Sequence, residues 1–271
     1  MSENKRTKIM GILNVTPDSF YDGGRHNTID KALSHALRMY VDGADIIDIW
    51  GESTRPGAER VSVNEEIDRI VPVIQRIVKE ISIPVSVDTT KSAVALEAVK
   101  AGASIINDIS GLTFDPEIIR IAAQYKTGLI IMHIKGIPAD MQKNTDYSDI
   151  IKDILDFLNT SINNAIKEGV PRDKIVIDPG IGFGKSLEQN YVILNNINRF
   201  KETGYPVLIG LSRKSLIGKL YTEDEDRLPA TLALNAIAVN NGADIIRVHD
   251  VKPHRLAMEC VDFFRGQNPD K

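Results

Sequence analysis

The chain has 271 residues and a formal net charge of -4, from 33 lysines and arginines against 37 aspartates and glutamates. The length suits one domain with a large core, and the weakly acidic balance argues against a nucleic-acid partner. The single cysteine, Cys260, excludes an intrachain disulfide and a multi-cysteine metal cluster, which favours a reducing compartment.

The N-terminal residues and the longest uncharged stretch carry no membrane signal. Residues 1–8 are polar and charged, and residues 228–243 are interrupted by proline, threonine and asparagine. We therefore expect a soluble, cytoplasmic protein forming a single domain over residues 1–271, with Cys260 as a small apolar residue on the last helix.

Short apolar, β-branched segments alternate with amphipathic segments along the chain. The predicted strands are Ile9–Leu13, Asp45–Ile49, Pro84–Val87, Ser104–Asn107, Gly128–Met132, Lys174–Ile177, Pro206–Gly210 and Asp244–Val248. Eight alternations predict a parallel sheet closed into a (β/α)8 TIM barrel. The alternative, an open doubly wound sheet, would usually carry a glycine-rich dinucleotide turn after the first strand, which residues 14–20 lack.

The starts of two helices are marked by polar residues. Thr28 could cap the first helix, and Asn64 with Glu65 and Glu66 would open the second with negative charge in its first turn. The buried stripe predicted for the second helix is Ile67, Ile70, Val71, Ile74, Ile77 and Val78.

A weak internal repeat supports the register. The segments 42–48, 101–107 and 241–247 share one design, a helix end, a glycine and a strand. Aligned in this way, Asp48, Asn107 and Arg247 occupy equivalent positions, and Trp50 and His249 lie two residues further on the same face.

Polar side chains end nearly every predicted strand, which is where barrel enzymes carry their active sites. They are Asn14, Asp48, Asp88, Asn107, His133, Asp178, Ser212, Arg247 and His249. Any one of them alone is more simply a cap or turn residue, but the set predicts a polar basin. Three segments exceed the usual length of a connector, 16–27, 51–63 and 212–228, and are typical of ligand-contacting loops.

Two of the loops have compositions suited to ligands. Arg213 and Lys214 precede a short apolar helix, where backbone N–H groups and side chains together can bind an anion, although two solvated cations are an equal alternative. Three glycines within residues 180–184 let the backbone approach a flat ligand, on which Phe183 could stack.

In these motifs the chain resembles the dihydropteroate synthases over essentially its whole length. The matching segments are 10–20, 51–57, 86–89, 106–109, 132–133, 178–180, 212–215 and 246–251. The resemblance implies joining a pterin diphosphate to 4-aminobenzoate through a pterin cation, without an enzyme nucleophile. It also implies sulfonamide binding and a homodimer formed through the last helices.

The resemblance implies three groups of site residues. The pterin would be bound by Asp88, Asn107, Met132, Asp178, Phe183 and Lys214. The diphosphate would be bound by Asn14, Thr54, Arg55, Arg247 and His249, with Asn14 as the only direct ligand of Mg2+. The 4-aminobenzoate would contact Phe20, Thr54, Pro56, Lys214 and Ser215. Asp88, Lys214, Arg247 and His249 would serve catalysis.

Trp50 departs from the family, which commonly has a glycine there; it either fills a gap or reshapes substrate access. Three other functions remain open. A pterin-binding methyltransferase acting on a corrinoid would have no use for Asn14, Arg247 and His249. A catalytically silent pterin-binding paralogue, acting as a partner subunit, should lack part of the anion set. An aldolase would form a Schiff base on Lys214.

Overall fold

The computed structural model describes residues 6–15, 24–52, 61–212, 214–218 and 224–267, with the backbone alone for residues 24–28, 215 and 224–226. The strands are β1 Lys8–Asn14, β2 Ile46–Trp50, β3 Val85–Asp88, β4 Ile105–Asp108, β5 Gly128–Met132, β6 Ile175–Asp178, β7 Leu208–Gly210 and β8 Ile245–Val248. The helices are α1 Gly24–Val41, α2 Val63–Glu80, α3 Ser92–Lys100, α4 Glu117–Tyr125, α5 Ile150–Lys167, α6 Leu187–Asn195, α7 Ile197–Lys201, α8 Ser215–Gly218, α9 Asp224–Asn240 and α10 Val251–Gly266.

The eight strands form one parallel sheet in the order β6-β5-β4-β3-β2-β1-β8-β7. A bridge between Ile177 and Val207 brings β6 and β7 together and closes the ring. Each strand is followed by at least one helix, so the predicted (β/α)8 TIM barrel is confirmed. None of the described helices has the length and apolar composition needed to span a membrane.

The predicted strands are all present, but five of them, β2, β3, β4, β6 and β8, begin one residue later than predicted. Four strands extend by one residue to a polar side chain, Asn14, Asp88, Asp108 and Asp178. Strand β2 also extends by one residue, to Trp50, which pairs with Asp88 on β3 because ladder hydrogen bonds are made by the backbone. Only β5 has both predicted ends.

Several helix predictions were wrong. Thr28 lies inside α1 rather than at its cap. The N-cap of α2 is Ser62, whose hydroxyl accepts a hydrogen bond from the Glu65 amide at 3.3 Å, rather than Asn64. The loop predicted over 212–228 contains α8 and the start of α9.

The buried face of α2 also differs from the predicted stripe. Val78 is exposed, Ile67 and Val71 are only half-buried, and Val73 is buried beside Ile70, Ile74 and Ile77. Glu66 is buried as well, because it pairs with Lys91 from the next βα connection. Glu66 can occupy the buried face of α2 because Lys91 compensates its negative charge there.

The strands alternate between two apolar environments. Residues that face outward pack with the helices into the main core. Those that face inward at the amino-terminal end form a separate apolar layer of Met10, Ile46, Ile130, Leu208 and Ile245. Two residues further along the same strands, the inward positions include Asp48 and Arg247, so the interior becomes polar towards its carboxyl-terminal end.

Candidate active site

Arg247 on β8 is the centre of the polar end of the barrel. Its Nε donates to Asp48 Oδ2 at 2.6 Å, and its Nη2 donates to Asp88 Oδ2 at 2.7 Å. Asn107 Nδ2 also donates to Asp48 Oδ2, at 3.3 Å. The three residues that the internal repeat made equivalent, Asp48, Asn107 and Arg247, are therefore in one hydrogen-bonded network.

Charge pairing holds this network together in a buried setting. Burial works against the charged form of Arg247, but Asp48 and Asp88 outweigh it and raise the arginine's pKa. Burial raises the pKa of Asp88 to about 7, although Arg247 acts to lower it and the Asp48 charge adds to the rise. A cation or a donor-rich heterocycle facing Asp88 would stabilise its carboxylate further.

A second group forms at the ends of β6 and β7. Asp178 is buried, and its Oδ1 accepts a hydrogen bond from the Gly180 amide at 2.7 Å. Lys214 Nζ donates to the Ile181 carbonyl at 2.5 Å and lies 4.7 Å from the centre of the Phe183 ring. Burial raises the pKa of Asp178 and lowers that of Lys214 to about 8.

The glycine-rich loop is held from behind by a residue to which the sequence assigned no role. Lys185 Nζ donates to the carbonyls of Gly180 at 2.8 Å and Phe183 at 2.9 Å, and lies 3.0 Å from His133 Nδ1. A Cβ on Gly180 (φ +72) would lie 1.9 Å from the His133 carbonyl oxygen, so the turn requires glycine. The signal for Lys185 was its position directly after three glycines, where loop carbonyls need a donor.

His133 does not join the polar basin, which corrects its prediction. Its ring packs edge-on against Phe157 of α5, with ring centres 4.9 Å apart. Met132 instead shares an apolar cluster with Phe183, Ile109 and Ile134. Successive strand residues face opposite sides, so Met132 and His133 could not both point inward.

The predicted anion site is only partly described. The Oδ1 atom of Asn14 is buried without a hydrogen-bond partner among the described residues. His249 lies beyond β8, with its Nδ1 2.9 Å from the Ser212 hydroxyl. Phe20, Thr54, Arg55 and Pro56 lie outside the described residues, and for Ser215 the structure describes only the start of α8.

Mg2+ would have few protein ligands here. Among the described residues, no three acidic, histidine or cysteine side chains lie together as a metal site. The unpartnered amide oxygen of Asn14 suits a hard cation, and Mg2+ keeps most of its waters when it bridges a substrate phosphate. The residues present therefore fit a metal held mainly by its substrate.

Lys91 joins Glu52 and Val61, the described residues on either side of the segment 53–60. Its Nζ donates to Glu52 Oε2 at 2.5 Å, to Glu66 Oε2 at 2.7 Å and to the Val61 carbonyl at 2.7 Å. Burial raises the pKa of Glu66, against the lowering effect of Lys91. Sequence reasoning missed this group because its members are separated along the chain.

Trp50 lies at the carboxyl end of β2, paired in register with Asn14 on β1 and Asp88 on β3. The next residue, Gly51, faces α2, since a Cβ there would lie 2.8 Å from Ile70 Cγ2. Trp50 therefore faces the barrel interior, on the same side as Asp48.

Comparison with known proteins adds independent findings. Residues 10–249 match the family model of pterin binding enzymes. A dihydropteroate synthase from Synechocystis is 49% identical over 260 residues, covering 95% of this chain and 90% of the relative. The crystal structure of a Clostridium difficile dihydropteroate synthase with pteroic acid superposes with a TM-score of 0.91 at 45% identity, covering 97% and 98% of the two chains. A Yersinia pestis dihydropteroate synthase in a sulfonamide drug complex gives 0.91 at 44% identity, covering 97% and 96%.

Proposed function

Because this chain belongs to the dihydropteroate synthases, a family of pterin-binding enzymes, we infer the reaction of that family. The protein is a transferase of folate biosynthesis that joins 6-hydroxymethyl-7,8-dihydropterin diphosphate to 4-aminobenzoate, giving 7,8-dihydropteroate and diphosphate. The observation that carries the proposal is the pairing of buried carboxylates with half-buried cations at the barrel mouth. Arg247 pairs with Asp48 and Asp88 on one side, and Asp178 and Lys214 lie together on the other.

We propose that the pterin ring is bound through hydrogen bonds to the buried polar side chains of the barrel mouth. Asp178 would accept hydrogen bonds from the 2-amino group and a ring N–H, while Asp88 and Asn107 contact other ring nitrogens. Lys214, which donates to the Ile181 carbonyl, would turn to the ring oxygen and N5. Met132 and Phe183, which share one apolar cluster, would flank the ring faces.

The reaction would begin with cleavage of the bond between the exocyclic CH2 and the diphosphate oxygen. The electron pair leaves with the diphosphate, and the cation left behind is delocalised over the pterin ring. The carboxylate of Asp88 would stabilise that cation, and the arylamine nitrogen of 4-aminobenzoate would then attack the CH2 carbon and lose a proton.

The leaving diphosphate would be bound by Arg247, His249 and Asn14, with Thr54 and Arg55. Asn14 would contact Mg2+, which when bound neutralises part of the diphosphate charge. Lys214 and Ser215, with Phe20, Thr54 and Pro56, would bind 4-aminobenzoate. A sulfonamide should occupy the same pocket, as the Yersinia pestis complex supports.

We also propose a homodimer formed through the last helices and a cytoplasmic location. Three large apolar side chains of α10 are exposed, Leu256 at 57%, Phe263 at 73% and Phe264 at 67%. Such a patch is typical of a surface covered by a partner. Cys260, on the same helix, is exposed and without a disulfide partner, which agrees with a reducing compartment.

The direct test is release of diphosphate from the dihydropterin substrate with Mg2+, measured with and without 4-aminobenzoate. Release that depends on the arylamine, with dihydropteroate formed, is the expected result. Tight pterin binding without turnover would instead identify a silent paralogue, and methyl transfer to a corrinoid would identify the methyltransferase. Borohydride trapping of a carbonyl substrate on Lys214 would identify the aldolase.

A further inference from the structure

Trp50 places its indole N–H, a hydrogen-bond donor, in the barrel mouth. The residue is 9% exposed, and its indole Nε1 is buried without a hydrogen-bond partner among the described residues. Leaving such a donor unsatisfied destabilises the protein, because the group has lost its hydrogen bond to water and gained no other. A tryptophan that only filled space would incur this cost without compensation, whereas phenylalanine would not.

The neighbouring strand presents the complementary atom. Asn14 is the register partner of Trp50, and its Oδ1 is likewise buried without a partner. A donor on β2 and an acceptor on β1 therefore stand side by side at the same end of the barrel, and they do not bond to each other. A ligand that satisfies both must offer an acceptor to the indole and a cation or donor to the amide oxygen.

Trp50 lies nearer to the proposed diphosphate residues Asn14 and Arg247 than to Asp178. Asp178 lies on β6, four places from β2 in the sheet order and so on the opposite side of the eight-stranded ring. Asn14 and Arg247 lie nearer to Trp50, on β1 and β8, which are one and two places from β2 in the sheet order. A diphosphate carrying Mg2+ offers the required pair of groups, because its oxygens accept and its hydrated cation suits Asn14.

We propose that Trp50 is a substrate-binding residue whose indole N–H donates a hydrogen bond to an oxygen of the diphosphate. The proposal rests on the proposed function and adds to it a contact that this chain supplies where the family commonly has a glycine. It requires no change in the reaction, since the indole neither gains nor loses a proton.

The test exploits the fact that Trp50 is the only tryptophan of the chain. Inorganic diphosphate with Mg2+ should produce a saturable change in the intrinsic tryptophan emission. In calorimetric titrations, Trp50→Phe, which keeps an aromatic ring but lacks the N–H, should bind the same probe about 5- to 10-fold more weakly. Binding of 6-hydroxymethylpterin, which has no diphosphate, should be unchanged.

A matched control is Tyr205→Phe, which also removes an unpartnered buried polar hydrogen from an aromatic side chain, but ahead of β7 at the other end of that strand. It should leave diphosphate affinity at the wild-type value. Wild-type affinity in Trp50→Phe, equal weakening of diphosphate and pterin, or a silent emission would each overturn the proposal. Diphosphate binding that depends on Trp50 in a protein without turnover would refute the proposed function alone.

Discussion

The two ends of the barrel interior are formed by the same strands but differ in polarity and in role. At the amino-terminal end, Ile46 and Ile245 belong to an apolar layer that packs without polar atoms. Two residues further, about 6.6 Å along each strand, Asp48 and Arg247 form a buried ion pair. One end thus stabilises the fold and the other is available for chemistry, which explains how a barrel can change its function without changing its core.

The largest effect that would sharpen this comparison is expected for Arg247→Met. The substitution leaves Asp48 and Asp88 without their shared cation, and breaking a buried pair typically costs about 3–5 kcal/mol. We expect kcat/KM for the dihydropterin diphosphate to fall by at least about 100-fold. Steady-state assays of diphosphate release measure it.

Arg247→Lys provides the comparison, since lysine keeps the charge but does not reproduce the fork that reaches two carboxylates. It should recover only part of the lost activity. If the Arg247→Met variant released diphosphate at the wild-type rate, Arg247 would have no role in catalysis.

At the opposite end, Leu208→Ala should have the converse effect. Leu208 is fully buried in the apolar layer, and truncation of such a residue costs about 2–5 kcal/mol of unfolding free energy. We expect denaturant unfolding to show this loss, while KM for both substrates stays within about twofold of wild type in the folded protein. A large change in KM would mean that the two ends are coupled.

This division between the ends was visible in the sequence to a useful degree. The alternation of apolar and amphipathic segments predicted the eight strands, because β-branched runs and helical periodicity are local properties. The internal repeat placed Asp48, Asn107 and Arg247 at one level, and their shared hydrogen bonds confirm it. Residues that end parallel strands meet at one edge, whatever their separation along the chain.

Other features depended on contacts that no local pattern contains. Glu66 was predicted only to place negative charge in the first turn of its helix, and its burial depends on Lys91, 25 residues away, which pairs with it. Lys185 lacked a role because its acceptors are loop carbonyls, which every residue possesses. His133 was assigned to the basin although Met132, its neighbour, already faces inward.

A smaller effect is expected at the second polar group. Asp178→Asn keeps the shape but exchanges an acceptor for a donor, and the loss of a charge-assisted hydrogen bond costs about 1.5–3 kcal/mol. Pterin affinity measured by calorimetry should fall about 10- to 100-fold. Asp156→Asn, on the exposed side of α5, is the control, and equal isotherms for Asp178→Asn and wild type would remove Asp178 from the pterin site.

The smallest effect is a pH dependence that belongs to the polar end alone. Burial raises the pKa of Asp88 to about 7 and lowers that of Lys214 to about 8. Because Asp88 would act as a carboxylate and Lys214 as an ammonium, kcat/KM should fall below the first value and above the second. A bell-shaped profile is therefore expected, and it should persist in Leu208→Ala.

Lys214→Arg should remove the alkaline limb of that profile, since a guanidinium keeps its proton throughout this range. Its maximum is expected to be lower than that of wild type because arginine is longer. An alkaline limb retained in this variant would assign the titration to another group.

The closure of the ring has a consequence for how the barrel opens. Strands β6 and β7 meet at the single bridge between Ile177 and Val207, whereas every other neighbouring pair is joined by a ladder. Asp178 ends one of these strands and Lys214 follows the other, so a pterin bound between them would tie the two edges together. The bound substrate would then link two strands that share few backbone hydrogen bonds of their own. Backbone amides of β6 and β7 should exchange more slowly with solvent when the substrate is bound, because local unfolding of these strands becomes less favourable.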